Sequence, residues 1–562
     1  MRDPAGWGQW MVGLLLAITS GLGRSAPAAE PGETIRFEEI AAKAGVAFRF
    51  ESGGRGRHDL PEIMGGGLAL LDADGDGRLD LFLCNGGPIV EEPGRTDPPC
   101  RLFRNLGSGR FEEITARAAC PGPSYAMGTA VGDYDGDGRD DLFVSGWRDQ
   151  RLYRNLGGGR FEDVTARAGL ISHDWSTSAA FADLDGDGDL DLYVATYLVY
   201  DPATAPFCAA PDGRRDFCGP EDFAAEDDHL YRNNGDGTFT DVGESAGIRL
   251  PGGRGLGVLV AELTGDNRPD IYVANDSSPC WLFANRGGLT FDEIGEESGV
   301  ARDGEGNVLS AMGVAHADLD ADGLLDLVVS NFFERSTIAF RAQSRPPGVF
   351  LDASGWLGLK AATSKVNGFG LLMADLDGDG RIDLLQANGH VLDRERLGTP
   401  FAMRPTLIRG DALPMKDLGE SAGPWFDRPA LGRGLAIGDL DGDGRPDFAA
   451  AAIDDPAAIL RNTSTGNHHL AVELLDRHGR PALGAWVRGI VGGRIVVASL
   501  DAGGSYLSTS QPRIWLGLGK STVGPSRIEV HWPWGRSEFW DQPKPGPVGL
   551  LRLREGSGRP IL

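Results

Sequence analysis

Positive charge is scarce in this chain. Its 562 residues include 54 lysines and arginines against 81 aspartates and glutamates, a formal net charge of −27. A nucleic acid partner is bound through clustered basic side chains, so this composition argues against one. Long apolar runs are missing too. The stretch from Trp10 to Leu22 is too short for a confident membrane span, and no later run is apolar enough to be one. The six cysteines, at 84, 100, 120, 208, 218 and 280, include no CxxC pair, which removes the common zinc and dithiol motifs. The nine histidines include no HExxH spacing, and no hydrolase elbow or helix-opening glycine loop is expected.

What is present is an acidic loop, D-x-D-x-D-G-x-x-D, repeated along the chain. It places Asp72, Asp74, Asp76 and Asp80 in the first copy, Asp133, Asp135, Asp137 and Asp141 in the second, and Asp183, Asp185, Asp187 and Asp191 in the third. The fifth copy supplies Asp318, Asp320, Asp322 and Asp326, the sixth Asp375, Asp377, Asp379 and Asp383, and the seventh Asp439, Asp441, Asp443 and Asp447. Carboxylates at positions one, three, five and nine put hard oxygen donors around one centre. The glycine at position six permits the left-handed turn that wraps the chain round an ion. Without a cation these acids would repel one another and raise each other's pKa values, so calcium is the expected cofactor. The fourth copy, ELTGDNRPD, keeps only Glu262, Asp266 and Asp270, with Thr264 in place of a carboxylate and Asn267 in the glycine place, and weak or absent binding is expected there. Six calcium ions add twelve positive charges and would bring −27 to −15.

The N-terminus reads as an export signal over residues 1–29: Arg2, the apolar stretch, then small residues at Ala28 and Ala29 where cleavage would fall. A secreted, periplasmic or extracellular chain with an even number of cysteines favours disulfides. Cys208 with Cys218, and Cys84 with Cys100, would each close a short loop, leaving Cys120 and Cys280.

Each acidic loop sits between an apolar small-residue strand such as MGTAVG from Met127 and an alternating strand such as DLFVSG from Asp141. A second hairpin follows, as in LFRNLGSGRFEEITARAA from Leu102 or LYRNLGGGRFEDVTARAG from Leu152. Four antiparallel strands per repeat predict an all-β, seven-bladed propeller over residues 34–464. The last repeat ends at Asn462 without its outermost strand, while TIRFEEIAAKAGV from Thr34 is a repeat tail with no head, so the N-terminal strand is predicted to complete the seventh blade. Residues 467–556, with strand-like LAVELL, WVRGIV, RIVVASL, RIEVHW and VGLLRL, predict a small separate β domain. In an up-and-down blade successive turns alternate faces. The calcium loops and NLGGG turns should share one face, and the long variable loops the other.

These features resemble FG-GAP or VCBS repeats of the kind found in integrin alpha-chain propellers, and their arrangement is similar to the cartilage acidic protein family. The matching pieces include MGGG at Met64, CGP at Cys218, VAND at Val273, MGVA at Met312, NGH at Asn388 and GRG at Gly432. The tail resembles an ASPIC/UnbV domain through NHHLAVELL from Asn467, LGAWVRG from Leu483, GGSYLS from Gly503, WLGLG from Trp515 and IEVHWPWG from Ile528. The reading that follows is a calcium-stabilised extracellular module for binding or adhesion, with a protein or glycan ligand on the variable face. Candidate ligand-contacting residues are His173, Trp175, Asp276 and His390, with Trp534 of the tail as an exposed aromatic. The rival reading is an extracytoplasmic hydrolase or oxidoreductase using His173, Asp174, Asp276 and His390, with His58, in the propeller mouth.

Overall fold

The alternation of short apolar strands with glycine-rich turns is realised as β-sheet throughout. The computed structural model describes residues 35–89 and 99–561. The expected export segment and most of the loop between Cys84 and Cys100 lie outside these residues.

Seven antiparallel sheets follow one another along the described residues, six of four strands and one to whose four a short tail strand, Ala502–Gly503, adds a fifth. Their innermost strands are Leu68–Leu71, Ala126–Gly132, Ser176–Ala182, Gly255–Ala261, Val314–Ala317, Gly368–Ala374 and Gly432–Gly438. Each touches the next, and the last touches the first, so the sheets close a ring. Neighbouring sheets bury their apolar faces against each other. Val258, Val260, Ile271, Val273 and Phe283 of one pack on Ala180, Ala182 and Tyr193 of the one before. Toward the axis the strands converge so tightly that side chains are excluded: a Cβ on Gly257 would collide with the Met312 carbonyl, and one on Gly370 with that of Arg433. This is why the inner strands read MGTAVG and GLGVLVA.

The ring is closed by the N-terminus. Phe37–Glu39 pairs antiparallel with Ala458–Asn462, in the register Phe37↔Asn462 and Glu38↔Arg461. The Arg461 guanidinium meets the Glu38 carboxylate at 2.6 Å across that seam. After its fourth strand nearly every sheet makes a one-turn helix, as at Thr115–Ala118 and Thr165–Ala168, closed by a left-handed residue such as Gly169 (φ 79°). Strand alternation alone gave no warning of these helices.

The tail folds into two packed sheets. One holds Ile514–Gly519, His468–Leu475 and Leu550–Arg554; the other holds Arg494–Ser499, Trp486–Val491, Arg527–His531, Glu538–Asp541 and Arg559–Pro560. Between them lie Val472, Val487, Ile528, Val530, Trp532 and Leu553.

The tail domain does not stand apart from the ring. Its segment 502–511 runs into the central channel and bonds to the inner strands of all seven sheets. Gly503 pairs with Leu259, and Ser505 exchanges two backbone hydrogen bonds with Val314. Leu371 N donates to Ser505 Oγ, Leu507 N to Ser178 Oγ, Thr129 N to Leu507 O, Leu70 N to Thr509 O and Ile437 N to Ser510 Oγ. Tyr506 is fully buried against Phe369, and its hydroxyl donates to the Met64 carbonyl at 3.1 Å. The channel is thus filled by the chain's own plug.

Candidate metal centres

Each acidic loop joins an innermost strand to the next strand out, and the tight turn is made by the residue at position six. Gly77, Gly138, Gly188, Gly323, Gly380 and Gly444 all take positive φ, between 83° and 96°. In the fourth loop Asn267 does the same at 61°, the conformation asparagine tolerates best after glycine. The predicted turn is therefore kept even where the acids are not.

The ninth-position aspartate has a second task that its ligand pattern hides. In every loop one of its oxygens accepts the backbone N–H of position two, as from Ala73 to Asp80 and from Leu376 to Asp383. The other accepts a backbone N–H from the third strand, as from Asn105 to Asp80 and from Asn155 to Asp141. The same clamp is intact at Asp270 in the degraded fourth loop, so it serves the fold whether or not an ion is bound. Burial pushes these carboxyls up, Asp80 and Asp326 to about 7 and Asp141 and Asp191 to about 8.

The first, third and ninth carboxylates come together. Within each of the sets Asp72, Asp74 and Asp80; Asp133, Asp135 and Asp141; Asp183, Asp185 and Asp191; and Asp318, Asp320 and Asp326, oxygens lie within 4.8 Å of one another. The fifth-position acids turn partly away: Asp76, Asp137 and Asp443 pair with Arg78, Arg139 and Arg445 two residues on. Three buried carboxylate oxygens of these loops are left without a hydrogen-bond partner, Asp137 Oδ1, Asp375 Oδ1 and Asp377 Oδ2, the last in an ion pair with Arg409 at 2.6 Å. A donor set made only of carboxylate and backbone oxygen, with orphaned buried oxygens among it, fits a hard cation such as calcium and suits no soft metal. The sixth loop is the most enclosed, and burial followed by repulsion from Asp379 and Asp377 holds Asp375 well above the usual carboxylate range.

The tail domain sits on this face. Trp534 lies against Gly186 of the third loop and donates from Nε1 to the Asp183 carbonyl at 2.9 Å. Asn467, His469 and Arg494 bond to backbone carbonyls of the sixth loop, and Arg513 faces Asp439 of the seventh at 3.4 Å. The expected exposed position of Trp534 is therefore corrected. Its turn, at φ 57°, aims the indole at the ring, and the ring is what it binds.

The chain carries FG-GAP-like repeats and a C-terminal ASPIC and UnbV domain. The FG-GAP-like repeat family matches residues 72–144, 133–194, 211–273 and 262–329, and the ASPIC and UnbV family matches 476–559. The chain is 28% identical to cartilage acidic protein 1 of Homo sapiens over 53% of its own length and 43% of that protein's. It is 27% identical to the Mus musculus protein over 53% and 44%. It thus spans less than half the length of the curated relatives it matches. Among solved structures, an Agrocybe aegerita lectin that recognises non-reducing terminal N-acetylglucosamine overlaps 70% of this chain and 86% of its own at 19% identity and a TM-score of 0.37.

On the opposite face of the FG-GAP ring, the residues expected to converge are committed elsewhere. Trp175 is buried at 1% exposure, edge-on to Tyr197, and so is core rather than ligand contact. The Tyr197 hydroxyl donates to Asp276 at 2.8 Å. His390 is buried between Phe332 and Phe333, its Nδ1 accepts the Leu392 N–H, and burial with Arg394 and Arg433 nearby lowers it to about 4. His58 packs edge-on to Phe217. Asp174 bonds to His229, which a second carboxylate, Asp241, meets at its other nitrogen, both at 2.8 Å. Burial alone would lower His229, but these two hydrogen bonds raise it to about 9. His173 remains exposed. Two Gly-x-Ser-x-Gly strings do occur, at Gly243 and Gly419. Both sit in one-turn helices, where Ser245 and Ser421 donate to the carbonyls three residues back, so neither is an elbow.

Cys208 and Cys218 form a disulfide that closes the hairpin of the 197–228 insertion. Cys84 and Cys100 are free buried thiols, which corrects the second expected pairing; Cys120 and Cys280 are also free and buried.

The sequence reading gives no role to the asparagine that ends the third strand, preceded by arginine at Asn105, Asn233 and Asn462 and by alanine at Asn285. Asn105 donates to the Leu440 carbonyl, Asn233 to Tyr134, Asn285 to Leu184 and Asn462 to Leu376, each time stapling one sheet to the loop of its neighbour. Its recurrence in LFRN and LYRN was the available signal.

Proposed function

We infer that this FG-GAP protein is an exported, calcium-binding module that takes an extracellular protein or glycan on the face opposite its acidic loops. The observation that carries the reading is the occupancy of the other face. The ASPIC and UnbV domain covers acidic loops there and its plug fills the channel, so long variable segments are left as the accessible binding surface. Among them Ile171, Val199 and Phe207 are more than half exposed, in segments rimmed by polar residues. The Cys208–Cys218 bridge supports an oxidising compartment, and no helix among the described residues is long and apolar enough to cross a membrane. Calcium is supported by the all-oxygen donor sets and their orphaned oxygens.

The test is capture on glycan and extracellular-protein arrays by the full chain and by Phe207→Ala and Val199→Asp variants. Capture that falls at least about tenfold in a variant whose melting is unchanged supports the reading. Capture indifferent to both variants, or substrate turnover without capture, overturns it.

A further inference from the structure

The C-terminal domain grips the acidic loops by their backbone. His469 donates from Nε2 to the Asp375 carbonyl at 3.0 Å, Asn467 Nδ2 to that of Asp377 at 3.1 Å, and Arg494 to that of Asp379 at 3.0 Å. Trp534 holds the Asp183 carbonyl of the third loop. At the third and sixth loops these bonds end on carbonyl oxygens, so there the domain is fitted to the path of the chain rather than to its charge; at the seventh, Arg513 meets the Asp439 carboxylate itself at 3.4 Å. That path is what a cation among converging carboxylates would hold, and what their repulsion would spread in its absence. In the sixth loop Asp375, Asp377 and Asp383 each keep only 2% exposure beneath the domain, and Asp375 Oδ1 has no hydrogen-bond partner. Among the described residues, no hydrogen bond from the domain reaches loops 72–80 or 133–141. The same domain carries the plug, so cap and plug are one body.

We propose that ion occupancy of the third and sixth acidic loops and seating of the C-terminal domain are a single linked equilibrium, in which the domain is a calcium-dependent cap that withdraws its plug from the channel when the ions leave. The proposal rests on the calcium reading above. Coupling of this kind is reciprocal: the ions tighten the cap, and the cap tightens the ions at those two loops while leaving the first two alone. An ion under the cap exchanges only when the cap lifts, so the two loop classes also differ in ion release rate.

The full chain, lacking only residues 1–29, is digested with trypsin in 1 mM calcium and in chelator, and cleavage after Arg494 and Arg513 at the two ends of the plug arm is followed by mass spectrometry. The expected result is cleavage there at least about tenfold faster in chelator, with cleavage inside the ring, after Arg151 and Arg154, changed far less. Calorimetric calcium titration of His469→Ala, and of Asn467→Ala in case the first folds poorly, is expected to show the sites beneath the domain weakened at least about fivefold and those of the first two loops unchanged. Equal cleavage with and without calcium, in a protein that calorimetry shows to bind calcium, overturns the cap and spares the calcium reading. So do unchanged affinities in both variants. Absence of any calcium binding overturns both.

Discussion

The first and sixth acidic loops, DADGDGRLD and DLDGDGRID, differ at two of nine positions, yet they live in different media. In the first, residues 75–78 are all exposed; in the sixth, no residue is. The difference lies outside the repeat, in a domain about a hundred residues further along the chain that lies on one loop and leaves the other in water. An acidic loop's affinity and exchange are therefore set by what covers it as well as by its donors, since burial raises the cost of leaving carboxylates uncompensated.

The comparison breaks most severely if all loops are emptied together. At ~1 mM calcium a site of ~0.1 mM contributes about 1.4 kcal/mol, and six such sites would contribute about 8 kcal/mol. Chelator is expected to lower the melting temperature by about 5–10 °C in scanning calorimetry; a melting curve indifferent to chelator and to added calcium contradicts the metal assignment. Next in size, Asp375→Asn is expected to lower melting in calcium roughly twice as far as Asp72→Asn, because the sixth loop also holds the cap. Equal losses would mean that the cap and the ion are energetically independent.

Titration sharpens the contrast further. Asp80, Asp141, Asp191 and Asp326 sit at about 7 to 8 when the ion is absent, above their unfolded value near 3.9. A raised carboxyl pKa means that the folded state holds the proton more tightly. That contribution is complete below the unfolded pKa and is lost as pH rises through the folded one. In chelator, melting is therefore expected to fall between pH 5 and pH 8. Calcium binds the ionised form, so in calcium the slope should flatten or reverse. The smallest effect is expected from repairing the fourth loop. Thr264→Asp with Asn267→Gly restores the missing carboxylate and glycine, and should add one calcium site by calorimetry and raise melting in calcium by about 1–2 °C. No additional site would show that Glu262 at position one is the true obstacle.

Much of the fold was legible because it repeats. The strand, acidic turn and strand pattern marks the inner half of each sheet, and the headless tail at Thr34 foretold the pairing of Phe37 with Asn462. Within the site, the position-six turn was legible because only glycine, or asparagine at some cost, sits easily at positive φ. The role of Asp80 and its counterparts was half legible. An aspartate that clamps two backbone amides has the same letter and spacing as one that only binds an ion. Trp175 and His390 were misplaced for a related reason, since a conspicuous residue in a loop can be exposed or can be the loop's own core.

The sequence by itself determined the local chemistry: acidic loops, where each chain reversal falls, which strands are small enough to meet at an axis, and that the ends must close a ring. The first three properties depend on residues within a few positions of one another, and the closure on one repeat motif split between the two ends of the ring, so a linear pattern can carry them all. Only the tertiary structure decided that Trp534 caps Asp183, that Tyr506 lies in the channel, and that one acidic loop is buried while its near copy is not. Those contacts join residues from 90 to 442 positions apart, where periodicity and spacing carry no information and shape alone selects the partner.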